Sequence, residues 1–260
     1  MSPSQRQCLF CSNAADSREH AWPQWLIEIF SSDEHVEVCA ERLGEGLRAW
    51  RSRRPELVVK HLCERCNNGW MSNVENAVIG EIKPLLRGAS TKLSTDGQHL
   101  VSVWALKTAM VLEALGPSSG HVYTQNEREE FAQSRAIPWR TSVWLGTVTE
   151  ATCLLSAKHR HLDSLGTKVS GVSITMAFGH LALQVLTLRV PSDVGPHTTI
   201  TAEVRDGQWE HATHQILPVR ETSVDWPLCM GLNGEAGVDA FANRFVTGEE
   251  WHGQTKPMSV

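Results

Sequence analysis

No stretch of about eighteen consecutive apolar residues occurs in this chain, so no transmembrane helix is expected. The first residues, MSPSQRQCLF, lack the apolar run of a secretion signal. Internal repeats and low-complexity tracts are also missing, and so is any excess of positive charge: the formal net charge is −5. A polycation that coats nucleic acid by charge alone is thereby excluded. These absences predict a soluble cytoplasmic protein without a membrane partner. The 260 residues, 41% of them hydrophobic, suffice for one large or two smaller domains.

Seven cysteines are present, and four of them fall into two C-x-x-C pairs, Cys8 with Cys11 and Cys63 with Cys66. Without a secretion signal, metal binding is a better default for such pairs than disulfides. A two-residue spacer lets both sulfurs of a pair face one ion, and tetrahedral zinc takes four thiolates from two such knuckles. A site closed by four cysteines builds fold and leaves no open position for chemistry. The 51 residues between the pairs exceed what a simple zinc ribbon needs, so a functional element is expected among them.

Charge is unevenly spread. Residues 1–95 hold 12 Lys/Arg and 12 Asp/Glu, whereas residues 96–260 hold 12 and 17 and account for the whole negative balance. Within the neutral part, LRAWRSRRPELVVK gathers Arg48, Arg51, Arg53, Arg54 and Lys60 around Trp50. Such a cluster suits contacts to phosphates, and equally a solvated loop.

RGASTKLSTDGQ, residues 87–98, is small and polar and reads as a linker. It separates a domain of residues 1–95, which holds both cysteine pairs, from a domain of residues 96–260. In the second domain, HLVSVWALKTAMVLEALG has apolar residues at helical spacing and stops at Gly116 and Pro117. Lys107 lies on that stripe, and its stem is expected to pack while its amine reaches water. Thr124 and Glu127 stand at capping-box spacing and predict a second helix. Beyond it, TSVWLGTV, ATCLLSA, VSITMAF, HLALQVLTLRV and TTITAEVRDGQWEHATHQILPV read as strands of a mostly antiparallel sheet, with a hairpin at RDGQ. The Gly-rich, polar tail after residue 232 is expected to be loosely ordered.

REHAWPQWL places Glu19 beside His20, with Trp22 and Trp25 expected to pack rather than to stack on bases. After the second pair the chain reads CNNGWMSNVENAVIG, where Asn67 or Asn68 can cap a helix whose apolar face is Trp70, Met71, Val74 and Val78. Taken together, CLFC, REHAWP and LCERCNN resemble the zinc-containing branch of the HNH endonuclease family, in a bacterial subgroup, over residues 5–80.

The resemblance implies a zinc-stapled ββα-metal N-terminal domain; with the helices and mainly antiparallel sheet read for residues 96–260, the expected fold class is α+β. It implies structural Zn2+ on Cys8, Cys11, Cys63 and Cys66, and a catalytic Mg2+ or Mn2+. Glu19 would be a ligand of the catalytic ion and His20 the general base. Asn68 would be the ligand on the helix, with Asn67 the next candidate. The family's middle asparagine, which orients the histidine, has no counterpart in PELVVKHLC, where His61 is the nearest residue able to stand in.

The chemistry agrees with these roles. Phosphodiester hydrolysis needs a proton acceptor for the attacking water, which histidine supplies near neutral pH. A hard divalent ion held by oxygen ligands stabilises charge at phosphorus and on the departing oxygen. Neighbouring residues of a regular strand point to opposite faces, so Glu19 and His20 converge on one phosphate only if the strand ends or twists there.

The expectation is therefore an endonuclease acting on nucleic acid, DNA before RNA. Residues 96–260 would regulate, recognise or dimerise, and a homodimer would form through them. The alternative is a catalytically inactive zinc-dependent nucleic-acid-binding module. A zinc-organised interaction protein is a third reading.

Overall fold

The computed structural model describes residues 6–20, 22–30, 36–42, 45–52, 58–115, 121–150, 154–163, 169–190, 203–204 and 209–246. The chain opens with β1 (Ser17–His20), α1 (Gln24–Phe30), β2 (Val36–Arg42), β3 (Glu45–Ser52) and β4 (Val58–Leu62). Next come α2 (Glu64–Cys66), a wide turn at Asn67–Met71, and α3 (Ser72–Leu86). β5 (Thr91–Ser94), α4 (Thr95–Glu113) and α5 (Gln125–Ser134) follow. The remainder contains β6 (Thr141–Thr149), β7 (Leu154–Asp163), β8 (Ser170–Phe178), β9 (Leu181–Arg189) and β10 (Glu203–Val204). It ends with α6 (Trp209–Ala212), β11 (Thr213–Leu217), β12 (Ser223–Trp226), β13 (Gly231–Asn233), α7 (Gly234–Ala242) and β14 (Phe245–Val246).

The architecture is α+β with a mainly antiparallel sheet. Among the described residues this sheet has eight strands, in the order β11-β6-β9-β8-β7-β2-β3, and β13 runs parallel to β6 beside β11. Alternation along β8 explains why both of its faces are covered. Val172, Ile174, Met176 and Phe178 join the main core with Trp104 and Met110 of α4. Ala177, on the other face, packs with Ala182 of β9 and with Val238 and Phe241 of α7. The β8–β9 turn meets the end of α3: Gly179 takes φ 55°, and a Cβ there would lie 2.8 Å from the Leu86 carbonyl oxygen.

α4 starts where Ser94 caps it, accepting from the Gly97 amide at 3.1 Å. The helix is buried on nearly every side, polar positions included. Lys107 departs from the expectation that its amine reaches water: the residue is 1% exposed and its Nζ lies 2.6 Å from Glu75 Oε1 on α3. A carboxylate brought in from another helix replaces the solvation that the sequence alone would assign to water.

Three other expectations are corrected. Residues 87–98 form β5 and the first turn of α4 rather than a linker, because β5 finds a distant partner in β12, with Leu93 opposite Val224. RDGQ, residues 205–208, lies outside the described residues, and among those described the strands on either side of it pair elsewhere. β10 pairs with β14 and β11 pairs with β6, and α6 intervenes. The tail, among the described residues, carries α7 and β14 rather than loose chain, since α7 is anchored on β7. Lys158 contacts Glu235 at 2.7 Å and Asp239 at 3.3 Å, and Arg160 donates to Asn243 at 2.6 Å.

The boundary expected between residues 95 and 96 falls inside the first turn of α4, and strand pairs cross it. β2 runs parallel to β7, with Glu37 opposite Leu154, and β5 pairs with β12. The tryptophans of REHAWPQWL pack across it as well. The Trp22 ring is 5.1 Å from that of Phe178, and the Trp25 ring is 6.1 Å from that of Trp104.

Candidate metal centre

Two local turns build the centre. In the first, Gln7 bridges Ala14 and the Cys8 amide donates to the Asn13 carbonyl at 2.8 Å, which folds Cys8–Cys11 into a tight knuckle. In the second, β4 delivers Cys63, whose sulfur accepts from the Cys66 amide at 3.4 Å. The knuckles are joined directly. The Leu9 amide donates to the His61 carbonyl at 2.7 Å, and the Cys63 amide donates to Cys8 Sγ at 3.3 Å.

The four sulfurs lie within 4.8 Å of one another. Cys11 Sγ is 3.5 Å from Cys63 Sγ and 3.6 Å from Cys66 Sγ. A tetrahedral ion with Zn–S bonds of about 2.3 Å sets its sulfurs about 3.8 Å apart, so the cluster has the size that zinc requires. All four are free cysteines. Among the described residues, no other group of three or more His, Cys, Asp or Glu closes in this way.

Backbone amides already point at the sulfurs: Phe10 and Cys63 donate to Cys8, and Cys66 donates to Cys63. Such donors favour thiolates. Without a metal the thiols oppose one another. Burial pushes Cys8 up to about 11 and also raises Cys66. Burial would raise Cys63 too, but the Cys66 amide and the neighbouring thiols outweigh it and hold Cys63 down. A divalent cation resolves this conflict by taking all four as thiolates.

The residues expected to act in catalysis lie on β1 and on the turn that follows Cys66. β1 pairs antiparallel with β4, Glu19 opposite Val59 and His20 opposite Val58, with a register shift between Ser17 and Glu19. Glu19 is described by its backbone alone. His20 closes the strand, half-buried, and its Nδ1 is buried without a hydrogen-bond partner among the described residues.

Neither asparagine caps α3. Cys63 caps the short helix before them, the chain kinks at Gly69 (φ −95°, ψ −109°), and α3 begins after Met71 with no side-chain cap. Asn67 Nδ2 instead donates to Ser17 Oγ on β1 at 3.0 Å. Asn68 is exposed, and its Nδ2 lies 3.5 Å from Glu64 Oε1. The structure thus ties Asn67, rather than Asn68, to the strand that carries Glu19 and His20.

Sequence reasoning missed Asp16 and Ser17, which brace this arrangement. Asp16 Oδ1 accepts from the Glu64 amide at 2.9 Å, which fixes the start of the second knuckle's helix. The two residues are 48 positions apart, so no local signal marked the contact. Reasoning also missed the docking of the predicted helix α5 on this region, to which nothing local pointed. Gln125 donates to the Cys8 carbonyl at 3.5 Å, Phe131 meets Trp70 edge to face at 5.8 Å, and the Arg135 guanidinium lies over Trp70.

The basic cluster is divided. Arg48 and Arg51 are on β3, the last strand of the large sheet's order, and Lys60 is exposed on β4 of the small sheet. Arg53 and Arg54 lie outside the described residues. Among the described residues no helix is long and apolar enough to cross a membrane. No protein-family profile matches this chain, and no curated protein or solved structure matches it at a significant level.

Proposed function

We propose that this protein is a metal-dependent endonuclease of the HNH type, cutting phosphodiester bonds in nucleic acid. One arrangement carries the reading: an antiparallel strand pair ends at Glu19 and His20 and runs through the Cys63–Cys66 knuckle into a helix, with Asn67 bonded back to the first strand. The bulge before Glu19 and the end of β1 at His20 both relax strict alternation, so adjacent residues can serve one phosphate.

In this reading Cys8, Cys11, Cys63 and Cys66 hold a zinc ion that keeps strand and helix in register. Glu19 and Asn67 offer oxygen donors for a second, hard cation, with Asn68 the alternative amide; their chemistry fits Mg2+ or Mn2+. When bound, such an ion supplies charge stabilisation at phosphorus and at the departing oxygen. His20 takes the proton of the attacking water, and its Nδ1 is not committed to another described group.

The test is incubation of the zinc-loaded protein with supercoiled plasmid, single-stranded DNA and RNA, with magnesium or manganese, before and after chelation. Chelator-sensitive cleavage supports the reading. Intact substrates throughout would overturn it and leave the catalytically inactive, zinc-dependent nucleic-acid-binding module, which the absence of a middle asparagine in PELVVKHLC favours.

A further inference from the structure

Trp139 is the most exposed large hydrophobic residue among those described, at 61%. It lies between buried Pro138 and the start of β6, and the core does not use it. The Arg140 guanidinium is stacked on one face of its ring, 4.1 Å from the centroid. Arg140 holds φ 59°, in the left-handed region that non-glycine residues enter at a cost. Strain of this kind persists where surrounding structure imposes it, and it concentrates at ligand contacts.

This segment is fastened to the turn beside the metal centre. Arg135 closes α5 by donating to the Phe131 carbonyl at 2.8 Å and to the Ala132 carbonyl. Its guanidinium lies 4.3 Å from the Trp70 ring centroid. Trp70 belongs to the same turn, Asn67–Met71, as the two asparagines. Four steps of chain separate Arg135 from Trp139, so their Cα atoms lie at most about 14 Å apart and Trp139 is tethered within that reach of the residue that covers Trp70.

We infer that Trp139, with Arg140 stacked on it, is a base-stacking platform for an unpaired strand of nucleic acid approaching the Asn67 turn. The inference rests on the nuclease reading of that turn. Every base has a π face that stacks on an exposed indole regardless of sequence. The guanidinium strengthens such stacking and attracts phosphate. Bases within a duplex are covered by their neighbours, so the platform selects strands that are unpaired. A purely apolar protein partner would not call for a cation on the ring.

The test uses the full-length zinc-loaded protein in buffer without magnesium or manganese. Binding of a labelled single-stranded oligonucleotide, and of the duplex of the same sequence, is measured by fluorescence anisotropy. Trp139→Ala is expected to weaken single-strand binding about tenfold. Duplex affinity, zinc content and Tm should stay unchanged, and Trp139→Phe should retain most of the binding. Equal single-strand affinity of Trp139→Ala and native protein overturns the inference, as does an equal loss for both substrates or no single-strand binding by the native protein. Cleavage assayed on the same preparations separates the two readings. Cleavage with an unaltered Trp139→Ala affinity removes the platform and keeps the nuclease; a selective loss without any cleavage does the reverse.

Discussion

Lys107 Nζ lies 2.6 Å from Glu75 Oε1, and this contact joins the middle of α4 to α3, the helix that continues from the Cys63–Cys66 knuckle. The Lys107 side chain is 2% exposed and that of Glu75 16%, so water does little to screen the pair.

Removing one partner of a buried ion pair strands the other charge and costs about 3–5 kcal/mol. Glu75→Ala is therefore expected to lower stability by about 3 kcal/mol. Glu75→Ala combined with Lys107→Met should recover most of that loss, because no charge is left unpaired. Urea unfolding of both variants measures the difference. A Glu75→Ala protein as stable as the native one would show that another group serves Lys107.

Zinc content and folding should move together. Cys8→Ser replaces one ligand sulfur, the atom to which the Phe10 and Cys63 amides donate, with a hydroxyl that is a poor zinc ligand. Elemental analysis should show less bound zinc, and thermal unfolding a lower Tm, since structural zinc contributes folding free energy directly. Native protein purified without chelator and found free of zinc would refute the four-cysteine assignment.

The metal-free protein should also respond to alkaline pH. Burial raises Cys8 from 9.0 to about 11 in the folded chain, so the folded state keeps this proton longer than the unfolded one. The stability that follows is complete below pH 9.0 and is lost as pH rises toward about 11. Cys66 acts in the same direction, and Cys63, held down, offsets part of it. Zinc-bound thiolates have no proton to lose. Thermal unfolding between pH 8 and pH 11 should therefore fall more steeply without zinc than with it; parallel curves would contradict this.

Catalysis and fold should separate at His20. His20→Ala touches no zinc ligand, so zinc content and Tm are expected to stay, while cleavage falls by about a hundred- to ten-thousandfold. Glu19→Ala and Asn67→Ala should respond in part to added magnesium or manganese, and His20→Ala should not, since metal does not replace a proton acceptor. Asn67→Ala should be more damaging than Asn68→Ala, because Asn67 is the residue bonded to β1. A folded His20→Ala protein that cuts as fast as the native one would remove this motif from the chemistry.

Arg48, Arg51, Arg53 and Arg54 can be tested as phosphate ligands. Replacing Arg51, Arg53 and Arg54 with Ala should weaken nucleic-acid binding nearly uniformly across sequences, because groups that hold phosphates position rather than specify. The slope of log affinity against log salt should drop by roughly one for each phosphate no longer neutralised. An unchanged slope would make the cluster ordinary solvated surface.

What the sequence by itself determined rests on interactions within a few residues. The two-residue spacers shape the knuckles, and Cys63 accepts from Cys66 three positions on. Thr124 and Glu127 close the predicted capping box, and the alternation along β8 appears as two covered faces. Residues that meet over long separations were decided by tertiary structure. The polar composition of residues 87–98 resembles a linker until β12 satisfies the backbone of β5. Lys107 resembles a surface lysine until α3 brings Glu75 to it, and Asn67 resembles a helix cap until Ser17 takes its amide. The docking of α5 on Trp70 through Arg135 had no local sign at all. Composition reports how a segment fares in water, whereas its place in the fold depends on which distant groups replace that water.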